Sequence, residues 1–483
     1  MKKVSIYFIL FSIILFSSCK KLVEDVNVNP NSPTDAPSNL VLNGAQVSSI
    51  ILYEGDFARL AGMWSQSFSG ADRQYISLNN YVTTSGDYDN TWSVAYRGVI
   101  APCKAIIKKE KATNNRLMIG IAQVMEAQAF GTLTSLFGDI PFSEAGDPLN
   151  FPAPKFDKQT DVYAGVQKLL DTAITNLASG VGVSPGAKDI FYGGSASKWL
   201  KAAYTLKARF YLHTKNYPEA ITNAVKGISN SSGNMMALHG EAYNSDFNLY
   251  YSFCVYDRDT YMGADEAVAP RLLDPASAEY RGNSKTDEEG RFNYLYSPGA
   301  IGYHAVYELN VLCDFDWGNP TSENGFFGGS TSFPLVTFEE NKLILAEAYI
   351  RTSDFSNALL ALNDYRNYLS GGGYIGEGYV SGYGFDYQPY EDADFDTGGE
   401  ENFGLSKNDA LLKEIIEERY ITLVGQIEQF NDVRRTKNSI GLVPVTGASL
   451  PQRFLYPQSE INTNKNTPSQ TAADLFKPTT VNM

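Results

Sequence analysis

Histidine and cysteine are scarce in this sequence of 483 residues, which holds three of the first and four of the second. The histidines, His213, His239 and His304, stand in separate contexts without the spacing of metal ligands. The sequence has neither a G-x-S-x-G nucleophile motif nor a glycine-rich phosphate-binding loop. We therefore predict no metal site and no cofactor.

Neighbouring carboxylates are the one feature that could support hydrolysis. Asp257 and Asp259 could serve as the acid and base of a glycosidase. Adjacent acidic residues in a loop are more often simply solvated, however. The sequence accordingly predicts a protein that is not an enzyme.

Cysteine usage gives no disulfide framework. Apart from Cys19, the cysteines are Cys103, Cys254 and Cys313, an odd set without C-x-x-C spacing. We expect buried free thiols, and a disulfide between Cys254 and Cys313 stays as an alternative.

Positive charge is also in short supply, because charged residues make up 19% of the chain and the formal net charge is −15. Nucleic acid is therefore an improbable partner, since its binding requires lysine and arginine to neutralise phosphates. The hydrophobic share of 43% allows a large core. No apolar run after the first residues reaches the ~20 residues that a spanning helix needs.

The N-terminus carries an export signal. Lys2 and Lys3 precede the apolar run Val4–Phe16, and two serines precede Cys19. This pattern predicts a signal peptide over residues 1–18 and lipidation of Cys19, as in a bacterial lipoprotein, so that the protein is anchored to a membrane only by lipid. Loss of the two lysines would leave a net charge of −17. The alternative is an ordinary secreted protein.

Residues 19–39 form a predicted tether, because asparagine, proline and serine are dense there. Beyond it, apolar periodicity predicts mostly α-helix. We expect helices over about Leu40–Ser67, Trp92–Lys108, Asn114–Phe137 and Asp161–Leu177, with a polar loop over Gly70–Asn90.

Two helical hairpins share one spacing of small and aromatic residues. In the first, Pro218 breaks the helical period between two helices within Asp189–Ile228. The second begins at Phe338. Tetratricopeptide repeats use this spacing so that paired helices can approach closely. The matching positions are Ala208, Tyr211, Ala220, Ala224 and Gly227 in the first hairpin and Ala346, Tyr349, Ala358, Leu362 and Tyr365 in the second. The sequence predicts a mostly α, tetratricopeptide-like scaffold over residues 40–483.

An ordered set of motifs resembles the SusD/RagB family of nutrient-binding outer-membrane lipoproteins, within it the SusD-like subgroup. The motifs are Cys19 with its tether, Leu136–Ala145, Pro154–Tyr163, Phe191–Trp199, Ala346-Glu-Ala, Phe430–Thr436 and Arg453–Glu460.

The resemblance implies a lipid-anchored protein on the outer membrane of Bacteroidota, facing the cell exterior. It would capture oligosaccharides and pass them to a SusC-like TonB-dependent transporter. Two alternatives stay open: an oligopeptide-binding, RagB-like protein, and a lid that gates the transporter without strong ligand affinity.

Long loops rich in tyrosine point to the ligand side. They lie at about residues 229–335 and 371–406. Aromatic rings suit sugars because a pyranose has an apolar face that lies flat on a ring. We expect the ligand surface to use residues among Arg73, Tyr75, Trp92, Tyr256, Tyr296 and Trp317.

Two charged motifs have a structural and a functional interpretation. Glu417-Glu418-Arg419 and Arg434-Arg435 are predicted ion-pair partners that tie the C-terminal segment to the scaffold, although an arginine pair could instead bind an anionic substrate. Asp392, Asp394 and Asp396 are predicted to form a solvated acidic loop, with a calcium site as the alternative.

Overall fold

The computed structural model describes residues 36–242, 245–297, 306–313 and 323–483. Helices dominate these ranges, as the sequence predicts. In chain order the α-helices are α1 Ser38–Glu54, α2 Asp56–Trp64, α3 Arg73–Asn79, α4 Asp89–Ser93, α5 Ala101–Thr113, α6 Arg116–Phe137, α7 Gln159–Leu177, α8 Ala196–His213, α9 Tyr217–Ala224, α10 Leu249–Tyr251, α11 Val268–Leu273, α12 Glu289–Leu295, α13 Phe338–Arg351, α14 Phe355–Ser370, α15 Glu377–Gly382, α16 Lys407–Thr422, α17 Ile427–Arg435 and α18 Gln458–Thr463.

Two π-helical segments, Val94–Ile100 and Ser252–Asp257, continue α4 and α10. The strands are short, and each has one antiparallel partner among the described residues. The pairs are β1 Ser69–Gly70 with β5 Met262–Gly263, β2 Ile140–Pro141 with β3 Phe156–Asp157, β4 Met235–Ala237 with β9 Phe333–Val336, β6 Thr286–Asp287 with β10 Asp386–Tyr387, and β7 Tyr296–Ser297 with β8 Glu308–Leu309. The predicted signal peptide, the lipidation site Cys19 and most of the tether lie outside the described residues.

The N-terminal helices differ from the prediction in two places. The helix expected over Leu40–Ser67 is broken at Gly55, where an added Cβ would lie 2.4 Å from the carbonyl oxygen of Ile51. The predicted loop over residues 70–90 contains α3 and a 3-10 turn at Ser85–Tyr88. The sequence missed α3 because its seven residues are too short for a clear helical period.

The two predicted hairpins are present as α8–α9 and α13–α14. Their small residues are buried together in one cluster, with Ala208, Ala220 and Ala346 fully inaccessible. Gly227 lies at the junction, where an added Cβ would come within 2.6 Å of the side chains of Thr205 and Asn341. The repeat spacing therefore marks a real close approach of the two hairpins.

A second, larger cluster holds most of the aromatic residues and surrounds α6, which is buried along nearly its whole length. Within it the Phe454 ring packs edge-on against Phe57, Trp64 and Phe137 at centroid distances of 5.2 to 5.7 Å. Phe454 belongs to the C-terminal motif, so this contact fixes the end of the chain against the N-terminal helices.

Buried ion pairs join α13, α16 and α17. The carboxylate of Glu347 accepts hydrogen bonds from both Nη atoms of Arg435, at 2.6 and 2.5 Å. Arg419 forms an ion pair with Asp432 at 2.8 Å. Burial alone would raise the pKa of Glu347, but Arg435 and Arg419 lower it to about 2. The predicted structural role of Arg419 and Arg435 is confirmed.

The predicted ion pair of Arg434 is wrong. Its guanidinium forms no ion pair with a described residue. It donates instead to the carbonyl oxygens of Ser135 and Gln452, at 2.9 and 3.0 Å. Burial without a carboxylate partner lowers its pKa to about 10. Arg434 thus joins α6 to the C-terminal segment by capping carbonyl groups.

A second buried network joins α16 to the loop-rich part of the chain. The carboxylate of Glu418 forms ion pairs with Arg291 at 2.7 Å and with Arg281 at 3.0 Å. Arg281 also forms an ion pair with Glu414 at 2.9 Å. These side chains are at most 4% exposed. The loops before α12 are therefore fastened to the same helix that anchors the hairpins.

The thiols and the acidic loop can now be placed. Cys103 is a buried free thiol and Cys254 a half-buried one. Cys313 is buried, and its Sγ accepts the backbone N–H of Gly329 at 2.8 Å. Asp392 and Asp396 face Lys407, and Asp394 bonds to Lys285 at 2.7 Å. Across the described ranges, no cluster of three or more histidine, cysteine or acidic residues could hold a metal ion.

None of the helices that the structure describes has both the length and the apolar character to span a bilayer.

We predict that Glu347→Ala lowers the free energy of unfolding by about 3–5 kcal/mol, because it leaves Arg419 and Arg435 buried with one carboxylate fewer. Glu417→Ala is the matched control, since Glu417 pairs, among the residues that the structure describes, with the half-buried Lys413 one helical turn away, and it should cost about 0.5 kcal/mol. Urea unfolding of both variants measures the difference. Equal losses would contradict a structural role for the Glu347 network.

Candidate ligand-binding surface

Two distant stretches of the chain meet at one aromatic surface. Pairing of β1 with β5 places Ser69 opposite Gly263, and the backbone N–H of Ala71 donates to the carbonyl oxygen of Tyr261 at 2.8 Å. Thr260 adds a hydrogen bond to Asp72 at 3.1 Å. The start of α3 therefore lies against the segment that follows the π-helical turn Ser252–Asp257.

Tyr256 is the exposed aromatic residue of this region, with 48% of its surface accessible. Its ring stacks parallel to Phe247, at a centroid distance of 5.7 Å and an interplanar angle of 5°. Tyr251 packs edge-on against both rings, at 5.0 and 5.8 Å. The stack supports Tyr256 from behind and leaves part of the residue open to solvent.

Two arginines accompany this aromatic group. The guanidinium carbons of Arg73 and Arg258 lie 5.7 and 5.9 Å from the centroid of the Tyr261 ring. The Arg73 side chain is 73% exposed and approaches Asp72 at 3.6 Å. We call the set Arg73, Phe247, Tyr251, Tyr256, Arg258 and Tyr261 the Tyr256 surface.

Tyr75 lies in the layer below this surface. Its ring packs on Phe253 at 4.9 Å and on Tyr261 at 5.8 Å, and only 6% of the residue is exposed. Burial raises the pKa of Tyr75, whereas Arg59, which donates to its hydroxyl at 3.2 Å, opposes that rise. Tyr75 thus positions the residues above it.

The other predicted site residues are placed as follows. The prediction for Tyr296 is wrong. This residue is fully buried, and its hydroxyl donates to the carbonyl oxygen of Ser67 at 2.7 Å. Its ring therefore offers no surface to a ligand. Trp92 lies with α4 in a separate cleft, where its indole N–H donates to Glu460 at 3.3 Å. Trp317 lies outside the described residues.

The structure adds members that the sequence did not single out. Phe247, Tyr251 and Tyr261 occur in the tyrosine-rich stretch and are themselves buried, so they support the exposed side chains of this surface. Nothing in the sequence singles them out for that role. Arg258 carries no signal of its own. Its place beside Tyr261 depends on the turn at Thr260, which has a positive φ of 70°.

A buried histidine holds the segment that carries Phe247. The His239 imidazole Nε2 lies 2.8 Å from the carboxylate of Glu54 on α1, whose other oxygen accepts the backbone N–H of Leu249 at 2.6 Å. Burial lowers the pKa of His239, but the bond and charge of Glu54 outweigh it and raise the pKa above 6.5. The segment that carries the stack beneath Tyr256 is therefore fastened to α1 by the contacts of Glu54 with His239 and Leu249.

The arrangement suits non-covalent recognition. An exposed tyrosine backed by a second ring offers an apolar contact, and the guanidinium groups of Arg73 and Arg258 at the Tyr261 ring offer hydrogen-bond donors. Burial raises the pKa of the nearby Cys254 thiol to about 12, so this thiol is not an activated nucleophile.

Comparison with known proteins gives a consistent set of matches. A family model, SusD-like_2, described as starch-binding and associating with the outer membrane, matches residues 30–457. No curated protein matches the chain.

Several solved structures share the fold. A SusD/RagB family protein from Bacteroides thetaiotaomicron VPI-5482 has a TM-score of 0.63 at 19% identity, and the match covers 93% of this chain and 99% of that one. A SusD-like protein from the same organism has a TM-score of 0.65 at 17% identity, covering 89% and 94%. A chitin-binding SusD homolog from Flavobacterium johnsoniae has a TM-score of 0.62 at 16% identity, covering 88% and 93%.

We predict that the stability contributed by the His239–Glu54 pair depends on pH. Because the pKa of His239 is raised in the folded protein, the stabilisation is complete below pH 6.5 and is lost as pH rises through the folded value. His239→Asn should therefore destabilise the protein more at acidic than at alkaline pH. Urea unfolding of both proteins on either side of pH 6.5 tests this, and a pH-independent difference would contradict it.

Proposed function

Since the chain belongs to the SusD-like family of starch-binding proteins that associate with the outer membrane, we propose that it captures oligosaccharides at the cell surface and passes them to a SusC-like TonB-dependent transporter. Capture is non-covalent, and the protein is a binding protein without catalytic activity. The exposure of Tyr256, whose ring stacks on Phe247, is the observation that carries the ligand site.

The geometry of the Tyr256 surface favours a neutral sugar. A pyranose can lie on the open part of Tyr256 while its hydroxyl groups accept hydrogen bonds from Arg73 or Arg258. Both arginines lie at the Tyr261 ring. The family description names starch and one structural relative is chitin-binding. Both polymers consist of pyranose rings, so a ring-stacking surface is what their recognition has in common.

The scaffold gives this surface a firm base. His239 and the backbone N–H of Leu249 both bond to Glu54 and fasten the segment that carries Phe247 to α1. A preorganised surface loses less conformational entropy when a ligand binds. The tetratricopeptide-like hairpins then supply the surface for the transporter.

Membrane attachment in this proposal is through lipid on Cys19, with the protein facing the cell exterior. The first described residues lie at α5, where Lys109 donates to the carbonyl oxygen of Ala36 at 3.0 Å. The tether would therefore leave the folded part where the N-terminal end of α1 meets the C-terminal part of α5. This part of the protein would lie nearest the membrane.

We expect calorimetric titration of the purified protein to give saturable heat with maltooligosaccharides or chitooligosaccharides. A matched panel of oligopeptides is the control. Heat with peptides alone would replace this function with oligopeptide capture. If neither panel gives heat and the protein co-purifies with a TonB-dependent transporter, transporter gating would replace oligosaccharide capture as the function.

We further expect Tyr256→Ala to weaken oligosaccharide binding about tenfold, because loss of an aromatic side chain that stacks on a ligand ring costs about 1–3 kcal/mol in the aromatic platforms that bind nucleic-acid bases. Phe476→Ala is the matched control, since Phe476 is also an exposed aromatic residue, 37% accessible, in the C-terminal segment outside the predicted ligand-side loops. Affinities measured by the same titration decide the point. If both variants bind as tightly as the original protein, the Tyr256 surface is not the ligand site.

A further inference from the structure

A second concave surface lies between α4 and α18. This cleft of about 610 Å³ falls within the range of about 300–1,000 Å³ typical of small-molecule sites. It shares no residue with the Tyr256 surface. We call it the Trp92 cleft, and its lining includes Asp89, Trp92, Tyr96, Arg97, Pro154 and Glu460.

The floor of the Trp92 cleft is aromatic and rigid. Trp92 and Tyr96 pack together at a centroid distance of 4.8 Å, and Trp92 packs edge-on against Phe137 at 4.9 Å. The Tyr96 hydroxyl donates to the carbonyl oxygen of Pro141 at 2.7 Å. These contacts fix both rings before any ligand arrives.

The wall formed by α18 is equally fixed. Asp89 accepts the backbone N–H of Ser459 at 2.7 Å. The carboxylate of Glu460 accepts a hydrogen bond from the side-chain amide of Asn464 at 2.7 Å. The same amide also donates to the carbonyl oxygen of Pro154 at 2.8 Å. A carboxylate has about four acceptor positions, so Asp89 and Glu460 can still accept hydroxyl groups from a ligand.

Arg97 completes the cleft with a donor. It is exposed, and its guanidinium has no hydrogen bond or ion pair within the ranges that the structure describes. Two carboxylates disfavour an anionic ligand here, and Arg97 disfavours a cationic one. A neutral ligand with several hydroxyl groups satisfies both kinds of group, because hydroxyls donate to carboxylates and accept from a guanidinium.

We propose that the Trp92 cleft is a second saccharide-binding site, which holds a short stretch of the same glycan class as the Tyr256 surface. This inference rests on the proposed function. Its chemistry is independent of the first site, because apolar contact comes from the half-buried Tyr96 packed on Trp92, which is 4% exposed, and the hydrogen bonds come from Asp89, Arg97 and Glu460. Two sites on one chain would raise the retention of long saccharides over short ones.

The test uses the four tryptophans of the chain as reporters. The purified protein labelled with fluorotryptophan is titrated with maltohexaose and with chitohexaose, and Trp92→Phe assigns the Trp92 resonance by fluorine NMR. Trp64 and Trp199, both fully buried elsewhere, are internal references. We expect the Trp92 resonance to shift in a saturable manner.

Variants separate the two sites. Arg97→Ala should weaken the titration followed at Trp92 about tenfold, because it removes a charged hydrogen-bond donor. Lys168→Ala, the loss of an exposed cation on α7, should leave that titration unchanged, and Tyr256→Ala should also leave it unchanged. If the Trp92 resonance does not shift while calorimetry records saccharide binding, the proposal of the second site alone is overturned. Absence of saccharide binding in both measurements overturns the proposed function as well.

Discussion

Helix α16 carries the ion pairs on which the rest of the structure depends. On one side Arg419 contacts Asp432 at 2.8 Å and Glu347 at 3.4 Å, and on the other Glu418 contacts Arg291 and Arg281. Burial opposes ionisation of Glu418, but Arg291 and Arg281 lower its pKa to about 2. Such groups are costly to bury unless each has a partner of opposite charge. The hairpins, α17 and the loop-rich segment must therefore assemble around α16 together.

This constraint explains how a chain with long loops can present ordered binding surfaces. Buried ion pairs require specific geometry, whereas apolar contacts tolerate sliding, so the network fixes one arrangement of the segment around α12. The same solution recurs at smaller scale in the His239–Glu54 pair. Loops held by buried charges can expose aromatic rings such as Tyr256 without collapsing onto the core.

Local patterns in the sequence predicted the scaffold, and contacts between distant residues decided the site. Ala208 and Ala346 were predictable because the spacing of small residues is a property of single helices. Tyr296 was not, because an alternation of tyrosines in a loop does not indicate which rings are buried. The position of Trp92 depends on Glu460, 368 residues later in the chain, and Arg434 lacks a carboxylate partner because it reaches carbonyl groups of Ser135 and Gln452. No short sequence window contains that information.

The distribution of arginine connects stability with recognition. Arg291, Arg419 and Arg435 are buried and neutralised by carboxylates, so they contribute little to the outer field of a protein whose net charge is −15. Exposed arginines such as Arg73 and Arg97 lie instead beside aromatic residues. On an acidic surface they do not create a broad positive field that would attract polyanions. They act locally as planar hydrogen-bond donors, which is the property that a neutral, hydroxyl-rich ligand requires.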